Sequence, residues 1–538
     1  MPTTPVALIP GFDPVTGSYL GVGLAIAVVV VASRTFARRT GVPYPVFLVV
    51  AGSAASFVPH MGNVALEPQV VFLGFLPPLV YHAGVVTSPR ELRANALPIG
   101  LGALGLVLAT TFVVASVAWA VAPVLGWVGA FVLGAVVAPT DAVAATSVFA
   151  RLGVPPRVTT ILEGESLVND GVALALLTVG IAAVAAPTSF VGGLLEFVKV
   201  AGGGTGFGLV VGWVAARVRR PISDPASRIV VSLLVPFVAY LPADALGLSG
   251  VLATLATGLL LGERPASGIG AAGRIRMNEF WNVLVFLLES LLFVLVGLQL
   301  RHLLAAIGGY PAGEVAALAG VSVAVVVVVR LLWWLAIPTL RWRPEGRLID
   351  TGDVPRPERL ALGWSGLRGA ISLAAALSVP TAVSGHQFPG RDLVVFTTFC
   401  VIVVTLVGQG TSLSPLLRRL GLAGTEQHQR QRALAERRCA EVALRVVEDL
   451  ALDGQVSEGT AELLRQRYEH RLERARMLVE TGERGMTEGR IALSALEQRL
   501  LATQFQVLRE LQHAGEITAA VVRQVRHELD LEQARFDR

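Results

Sequence analysis

Charged side chains are scarce in this chain of 538 residues: Asp, Glu, Lys and Arg together make up 15% of it. Soluble globular chains carry about 25% charge, so the composition excludes an ordinary soluble domain. Only two cysteines are present, Cys400 and Cys439, which provide neither a disulfide framework nor the ligand spacing of a metal site. Lysine is nearly absent as well, since Lys199 is the sole one among 44 basic residues. The positions of the arginines are therefore the informative charge signal.

Long apolar runs take the place of charge: 53% of the residues are hydrophobic and the mean hydropathy is +0.65. Runs near 20 residues, the length that crosses about 30 Å of hydrocarbon, recur between residues 16 and 416 and predict an all-α polytopic membrane protein. Thirteen spans are expected, at 16–36, 42–58, 67–86, 97–122, 127–149, 158–186, 196–216, 229–242, 246–262, 278–300, 313–340, 359–382 and 392–416. The span at 229–242 is short, and fusing or losing a pair there would leave eleven.

The arginines test this count, because loops on the cytoplasmic side of a membrane are enriched in Lys and Arg. They cluster in alternate loops: Arg34, Arg38 and Arg39; Arg90 and Arg93; Arg151 and Arg157; Arg217, Arg219, Arg220 and Arg228; Arg264, Arg274 and Arg276; Arg341, Arg343, Arg347, Arg356 and Arg359; Arg418 and Arg419. The alternation predicts a cell-membrane protein with its N-terminus outside and its C-terminus in the cytoplasm. Because these arginines separate hydrophobic runs, nucleic acid is not expected as a partner. The first span is expected to stay as a helix, since its basic cluster follows the apolar stretch instead of preceding it.

From about residue 425 the composition becomes polar, which predicts two domains, 1–424 in the membrane and 425–538 as a helical cytoplasmic tail. The tail carries 18 basic and 20 acidic residues. It is expected to form four helices near 427–452, 457–481, 487–513 and 516–536, separated at glycine-containing breaks. Its apolar residues recur at helical spacing, as Leu464 and Leu472 do. Two roles remain open: a regulatory module with an unknown ligand or regulator, and a helical appendage that packs on itself or on a sister subunit.

The sixth span is the most polar in its interior, where an ionisable residue costs about 2.5–3.5 kcal/mol on insertion scales and is a functional candidate by default. Glu165 and Asn169 lie one turn apart, and Ser166 and Asp170 lie one turn apart beside them. At 100° per residue all four fall within a sector of about 140°. They are therefore predicted to face one polar crevice.

Two other spans are predicted to be broken helices. The fifth contains Pro139, Thr140 and Asp141 in an apolar run, and proline removes a backbone donor and clashes with the preceding turn. The twelfth contains Arg368 among glycines. The two spans lie seven apart and run in opposite directions, which is typical of an inverted-repeat transporter whose site lies where interrupted helices cross.

These motifs resemble those of bacterial monovalent cation/proton antiporters of the NhaP, or sodium/proton exchanger, family. The matching motifs are FLPPL at 75–79, APTD at 138–141, GESLVNDG at 164–171, SGVLA at 249–253, FVLVG at 293–297, GLRGA at 366–370 and TLVGQG at 405–410. The resemblance implies thirteen helices in a core and a dimerisation part, a homodimer and electroneutral exchange. No cofactor is expected besides the transported Na⁺ and H⁺. The resemblance also implies that Asn169, Asp170, Thr140, Asp141, Ser166, Glu165 and Arg368 form or support the ion site. His82 is a departure, since relatives often carry glutamate or a small residue there.

Charge accounting then suggests a mechanism: Asp170 binds Na⁺ when ionised, with oxygens from Ser166, Thr140 and water, and releases it when protonated. An all-oxygen shell suits a hard monovalent ion, although Na⁺, K⁺ and Li⁺ are not distinguished. Glu165 and Arg368 are expected to form a structural pair. Glu289 is a rival partner for Arg368, and Arg330 is an alternative partner for Glu289.

Two other function classes were weighed. A gated monovalent cation channel would also place an acid in a polar path, but thirteen spans with two broken helices suit alternating access better. A membrane hydrolase with Ser166 as nucleophile and His82 as base is disfavoured, because GESLV at 164–168 lacks the second glycine of a nucleophile elbow. An antiporter, with no enzymatic activity, is the favoured prediction.

Overall fold

The structure is a computed structural model that describes residues 14–58, 68–185, 190–222, 224–263, 271–336, 354–383, 386–424 and 426–481, with four further positions near residue 507. The described chain is almost entirely helical, as its composition predicts. It divides into two compact units, Met1–Ala423 and Gly424–Arg538. The boundary predicted after residue 424 lies one residue away.

The first unit consists of helices with a single two-stranded hairpin in its described part. The helices are α1 (Pro14–Thr40), α2 (Tyr44–Ala55), α3 (Pro68–Val86), α4 (Pro89–Ala94), α5 (Ala96–Val121), α6 (Gly126–Val137), α7 (Val143–Leu152), α8 (Pro156–Ala185), α9 (Phe190–Val218), α10 (Pro225–Ala245), α11 (Gly250–Glu263), α12 (Ala271–Leu298), α13 (Leu300–Ala306), α14 (Ala312–Ala336), α15 (Arg356–Trp364), α16 (Ala370–Leu377) and α17 (Arg391–Arg419). Strands β1 (Ala382–Val383) and β2 (His386–Gln387) pair antiparallel between α16 and α17. Single π-helical turns interrupt α3 at Val71–Phe75, α5 at Leu101–Leu106 and α17 at Thr405–Gln409.

Every predicted span coincides with a helix or with a pair of helix halves, apart from residues 67, 186 and 337–340, which lie outside the described residues. The spans predicted at 229–242 and 246–262, which could have been one, are two separate helices, α10 and α11. Eight of the described helices are long and apolar enough to cross a membrane by length and composition. The shorter apolar ones include α2, α7 and α11. Because these helices are short, a search for long apolar helices finds fewer spans than the alternation of the arginines predicts.

The helices pack in two groups. One group contains α1–α3 and α9–α12, and the other contains α5–α8 and α14–α17. Small residues allow close approach within a group: a Cβ at Gly297 of α12 would lie 2.6 Å from the Ser53 amide nitrogen of α2. Without side chains between them the two backbones pack directly, which is how membrane helices gain dispersion energy when lipid offers no hydrophobic driving force. The two groups meet where α8 packs against α9 and α11.

Both predicted breaks are present, and they meet. Residues 138–142 separate α6 from α7, and residues 365–369 separate α15 from α16. The Asp141 amide donates to the Leu367 carbonyl oxygen at 2.8 Å, which joins the two non-helical segments. A hydrogen bond of this kind satisfies backbone groups that the broken helices leave free inside the membrane. The predicted crossing of two interrupted helices is therefore confirmed.

The second unit, considered by itself, begins with α18 (Glu426–Leu452) and α19 (Glu458–Thr481), which pack together as a helical hairpin. Ala440, Val447, Ala461 and Leu472 form its buried face. The Ser457 hydroxyl accepts a hydrogen bond from the Thr460 amide at 3.4 Å, as an N-cap does. The first two predicted tail helices are thus observed. The other two, near 487–513 and 516–536, fall outside the described residues except at four positions, all of them helical.

Candidate functional site

The site is built around the non-helical segment between α6 and α7. Pro139 lacks a backbone donor and ends the regular helix, so the next residues are free to form other contacts. The Asp141 carboxylate turns back and accepts the Val143 amide at 2.8 Å, which caps the first turn of α7. The Ser166 hydroxyl accepts the Ala142 amide at 3.3 Å. Asp141 therefore shapes this segment, and Ser166 holds it against α8.

The polar sector of α8 faces the same segment, as its spacing predicts. The Asn169 amide nitrogen donates to the Thr140 hydroxyl at 3.0 Å and to the Thr140 carbonyl oxygen at 3.2 Å. Both residues are buried. The side-chain oxygen of Asn169 has no hydrogen-bond partner among the described residues. Asn169 thus fixes the orientation of the Thr140 oxygens and keeps one acceptor of its own unused.

Asp170 lies beside this pair and lines a cavity between the two broken helices and α8. The other walls are apolar or small, and they include Pro139, Ala173, Ile371 and Ser372. Asp141 is close enough to interact electrostatically with Asp170. A carboxylate in a largely apolar cavity is poorly solvated. It therefore gains strongly from either a proton or a cation.

Glu165 is paired with Arg330 and not with Arg368, which corrects the sequence-based expectation. The two terminal guanidinium nitrogens of Arg330 donate to the Glu165 carboxylate, and each side chain is only 1% exposed. Arg330 Nε also donates to the Leu362 carbonyl oxygen at 3.1 Å, near the C-terminal end of α15. The pairing follows from packing: α14 lies against both α5 and α15, and its arginine faces the polar side of α8.

Arg368 is buried and bonds to backbone oxygens. Its Nε donates to the Val137 carbonyl oxygen at 3.0 Å, and another guanidinium nitrogen donates to the Gly366 carbonyl oxygen. Its amide donates to the Thr405 hydroxyl at 3.3 Å. Val137 is the last residue of α6, so Arg368 satisfies the negative end of that half-helix. Arg330 does the same for α15, and the two arginines together stabilise both C-terminal half-helix ends at the crossing.

Glu289 is not the partner of either arginine. Its Oε2 accepts the Tyr44 hydroxyl proton at 2.7 Å, across the contact between α2 and α12. Tyr44 was not among the predicted site residues, because a tyrosine at the start of a span looks the same in sequence as an ordinary interfacial aromatic residue. His82 stacks on Trp281 with ring centroids 5.4 Å apart, which places it in the contact between α3 and α12.

The polar side chains on or beside the segment between α6 and α7 carry oxygens, and they belong to Asp170, Asp141, Thr140, Ser166 and Asn169. Among the described residues, no three or more His, Cys, Asp or Glu side chains are placed to hold a metal ion together. Carboxylate and neutral oxygens are the ligand types that hard ions prefer. The two antiparallel broken helices that frame these side chains define the class: an α-helical secondary transporter with an inverted-repeat crossing.

Comparison with known proteins assigns the family. The model of the transmembrane part of sodium/hydrogen exchangers matches residues 24–419, and the chain belongs to this family. It is 36% identical over 95% of its length to an uncharacterised Na⁺/H⁺ exchanger of Mycobacterium tuberculosis, and it covers 95% of that protein. It is 31% identical over 76% of its length to the Na⁺/H⁺ antiporter ApNhaP of Aphanothece halophytica, of which 75% is covered.

A solved structure shares the fold. The sodium proton antiporter MjNhaP1 of Methanocaldococcus jannaschii matches 76% of this chain and 99% of its own, with a TM-score of 0.58 and 18% identity. The overall fold is therefore one that a solved antiporter structure also has.

Proposed function

We propose that the chain exchanges Na⁺ for H⁺ across the cell membrane, and that both ions compete for Asp170. The observation that carries this proposal is the Asp170 carboxyl, placed in a cavity at the crossing of the broken helices, whereas the neighbouring Glu165 is neutralised by Arg330. Family membership supports the exchange itself. The competition at this residue is our inference from the geometry.

The exchange follows from charge. An ionised Asp170 attracts Na⁺, and Thr140, Ser166 and Asp141 supply further oxygens together with water. Protonation removes that attraction, so one site holds either ion but not both. Asn169 is neutral and carries no second proton, which makes one Na⁺ for one H⁺, an electroneutral exchange, the expected stoichiometry. Glu165 and Arg368 hold the crossing in place without binding the ion.

The arrangement in the membrane is also a proposal. Arg151 at the end of α7 and Arg418 and Arg419 at the end of α17 lie on the face where α17 ends, since Arg151 and Ser414 are hydrogen-bonded. Cytoplasmic loops are enriched in arginine, so this face is assigned to the cytoplasm, with the N-terminus outside and the second unit inside. A homodimer is expected from the family resemblance.

Proteoliposomes that contain a pH-sensitive dye test the function. An inward Na⁺ gradient should drive proton efflux, and with the membrane potential clamped the rate should not depend on voltage. Asp170→Asn should abolish this coupled flux while the protein still inserts, because a neutral side chain relieves an insertion penalty. Glu163→Gln, which removes an exposed carboxylate from the same helix, is the matched control and should exchange normally.

Each other outcome has a defined meaning. Exchange at the wild-type rate in Asp170→Asn would refute the site assignment. Na⁺ entry without proton movement would indicate a gated cation channel instead. Repeating the assay with K⁺ and Li⁺ measures the selectivity that the donor set leaves open.

A further inference from the structure

One side of α18, in the second unit, carries apolar side chains that remain exposed. Val442 and Val446 are 52% and 49% exposed, and Ala435 and Cys439 are exposed as well. A different side of α18 packs against α19. Single apolar residues on a surface need no explanation, but a continuous apolar patch marks an interaction site. The spacing of the four side chains shows that they form such a patch.

The four residues follow the spacing of a coiled-coil heptad. Successive members lie four, three and four positions apart, which places them at alternating d and a positions. At 100° per residue they fall within a sector of about 60°. A stripe of a and d positions alone is the narrow seam of a coiled coil, whereas the core-facing side of a bundle helix is at least about 100° wide. We call Ala435, Cys439, Val442 and Val446 the seam, and its width fits one further helix.

The seam suits a second copy of itself. Because α19 covers a different side of α18, the helix that pairs with the seam is not α19 of the same chain. In a two-fold symmetric interface the same patch of both copies meets, which requires a patch that is complementary to itself. Four small apolar side chains meet this requirement, because each opposes an equally small one. Val446 at an a position also favours two strands, as β-branched residues there do.

The charges beside the seam favour a parallel pair. The flanking g positions hold Arg438 and Arg445, and the flanking e positions include Glu436 and Ala443. In a parallel pair each g position lies beside the e position five residues later in the other copy, so Arg438 meets Ala443 and no like charges meet. In an antiparallel pair over the same seam, Arg438 would lie beside Arg445 of the other copy, which is unfavourable.

The seam is too small to hold two separate proteins together. Four small side chains bury far less than the total of about 1,200 Å² that stable interfaces bury. The connection to the membrane unit is short, however, because α17 ends at Arg419 and α18 begins at Glu426. In a homodimer of membrane units the two seams are therefore tethered within a small volume, and a short tether raises the effective concentration to the millimolar range. Pairing that is weak for free hairpins becomes favourable in that setting.

We propose that the seam forms a parallel two-stranded coiled coil with the seam of a second copy of this chain, so that the second unit is a dimer contact. The inference rests on the homodimer expected from the family resemblance. It assigns the tail a partner, which is its own counterpart in the other subunit. Its predicted effect is a tighter dimer.

Cross-linking of single cysteines tests the pairing. The full-length protein is reconstituted at a low ratio of protein to lipid, in a Cys400→Ala background that leaves Cys439 as the only cysteine. A short bismaleimide should join two chains through Cys439, because equivalent a positions face each other in a parallel pair. Glu448→Cys combined with Cys439→Ser is the matched control. Position 448 is exposed on α18 but lies away from the seam, so about tenfold less cross-linking is expected.

The orientation is tested at the end of the seam. Val446→Cys combined with Cys439→Ser, in the same background, should also cross-link in a parallel pair. In an antiparallel pair the two residues at position 446 would be separated by roughly 16 Å along the helix axis. Cross-linking through Cys439 without cross-linking through position 446 would therefore overturn the parallel arrangement.

A charge within the seam tests its contribution to the dimer. Val442→Glu places a carboxylate in the seam of both copies, where the two like charges meet. We expect the dissociation constant of the detergent-solubilised dimer to rise about tenfold, because one of two linked contacts is lost. Leu434→Glu introduces the same charge at a position of α18 that is 47% exposed and lies outside the seam, and it should leave the dissociation constant unchanged.

The remaining outcomes separate the seam from the homodimer on which it rests. A dimeric protein in which Cys439 reacts with a monofunctional maleimide but forms no cross-link would overturn the proposal. So would a Cys439 shielded from both reagents, because residues 482–538 of the same chain would then be the occupant of the seam. A full-length protein that is monomeric by mass measurement would refute the homodimer and the seam together.

Discussion

Separating Glu165 from Arg330 is expected to be among the most destabilising single changes in the membrane unit. Each side chain is 1% exposed, and the guanidinium contacts the carboxylate through two nitrogens. In Arg330→Ala the carboxylate stays buried without its counter-charge, and the Leu362 carbonyl oxygen loses a donor. In Glu165→Ala the guanidinium is left buried beside Arg368, with which it already shares the crossing.

The expected loss is about 3–5 kcal/mol for either single variant, the usual cost of leaving one member of a buried pair uncompensated. For a unit of this size that loss corresponds to a decrease in Tm on the order of 3–6 °C. Replacing the pair by apolar residues of similar volume removes both charges from the interior. The double variant Glu165→Leu with Arg330→Met should therefore be within about 1–2 kcal/mol of the wild type, far closer than the sum of the single losses.

Thermal unfolding of detergent-solubilised protein, followed by size-exclusion chromatography after heating, measures these values. Two double-mutant cycles identify the partner: the coupling energy between Glu165 and Arg330 should exceed that between Glu165 and Arg368. Glu163→Ala, on the exposed side of α8, controls for the loss of a carboxylate. Equal stability of Arg330→Ala and the wild type, or a larger coupling to Arg368, would refute the ion pair as the element that holds the crossing.

Three further outcomes are expected. Arg368→Ala should lower the Tm and the yield by freeing the Val137 carbonyl oxygen at the end of α6; wild-type stability would show that the arginine is not needed as a cap. Gly297→Leu should prevent assembly of α2 against α12, because even a Cβ there would lie 2.6 Å from the Ser53 nitrogen, and normal yield in membranes would contradict that packing. Truncation after Gly424 should leave an inserted protein that still exchanges, with a shifted pH dependence, a weaker dimer or no change; a truncated protein that inserts and dimerises but shows no exchange between roughly pH 5 and 9 would show that the second unit is part of the transport machinery.

The sequence predicts those elements of the fold that depend on residues close together in the chain. Apolar runs located the helices of the first unit, and Pro139 located one break because proline acts on its own turn. The spacing of Glu165, Ser166, Asn169 and Asp170 gave their common orientation, because the period of a helix fixes which residues share a face.

The partners of the buried charges were not accessible in the same way. Glu165, Glu289, Arg330 and Arg368 lie in four different spans, and the sequence allowed several pairings among them. Arg330 lies in an apolar run, so the sequence indicates that its charge needs a partner. It does not indicate which group that partner is. Arg368 is satisfied largely by backbone oxygens, and Tyr44 takes Glu289. Every residue has a backbone carbonyl oxygen, so the sequence does not indicate which of them accept hydrogen bonds from a buried arginine.

The sequence by itself determined a multi-pass helical membrane protein with two interrupted helices and a polar sector on α8, because hydropathy, proline and helical periodicity act over one or two turns. The tertiary structure decided which charges meet. It joins α14 to α8 through Arg330 and Glu165, closes the negative ends of α6 and α15 with arginines, and leaves Asp170 in a cavity at the crossing. Those contacts depend on the relative positions of helices far apart in the chain, which are set by the close packing of small residues and not by any local preference of the chain.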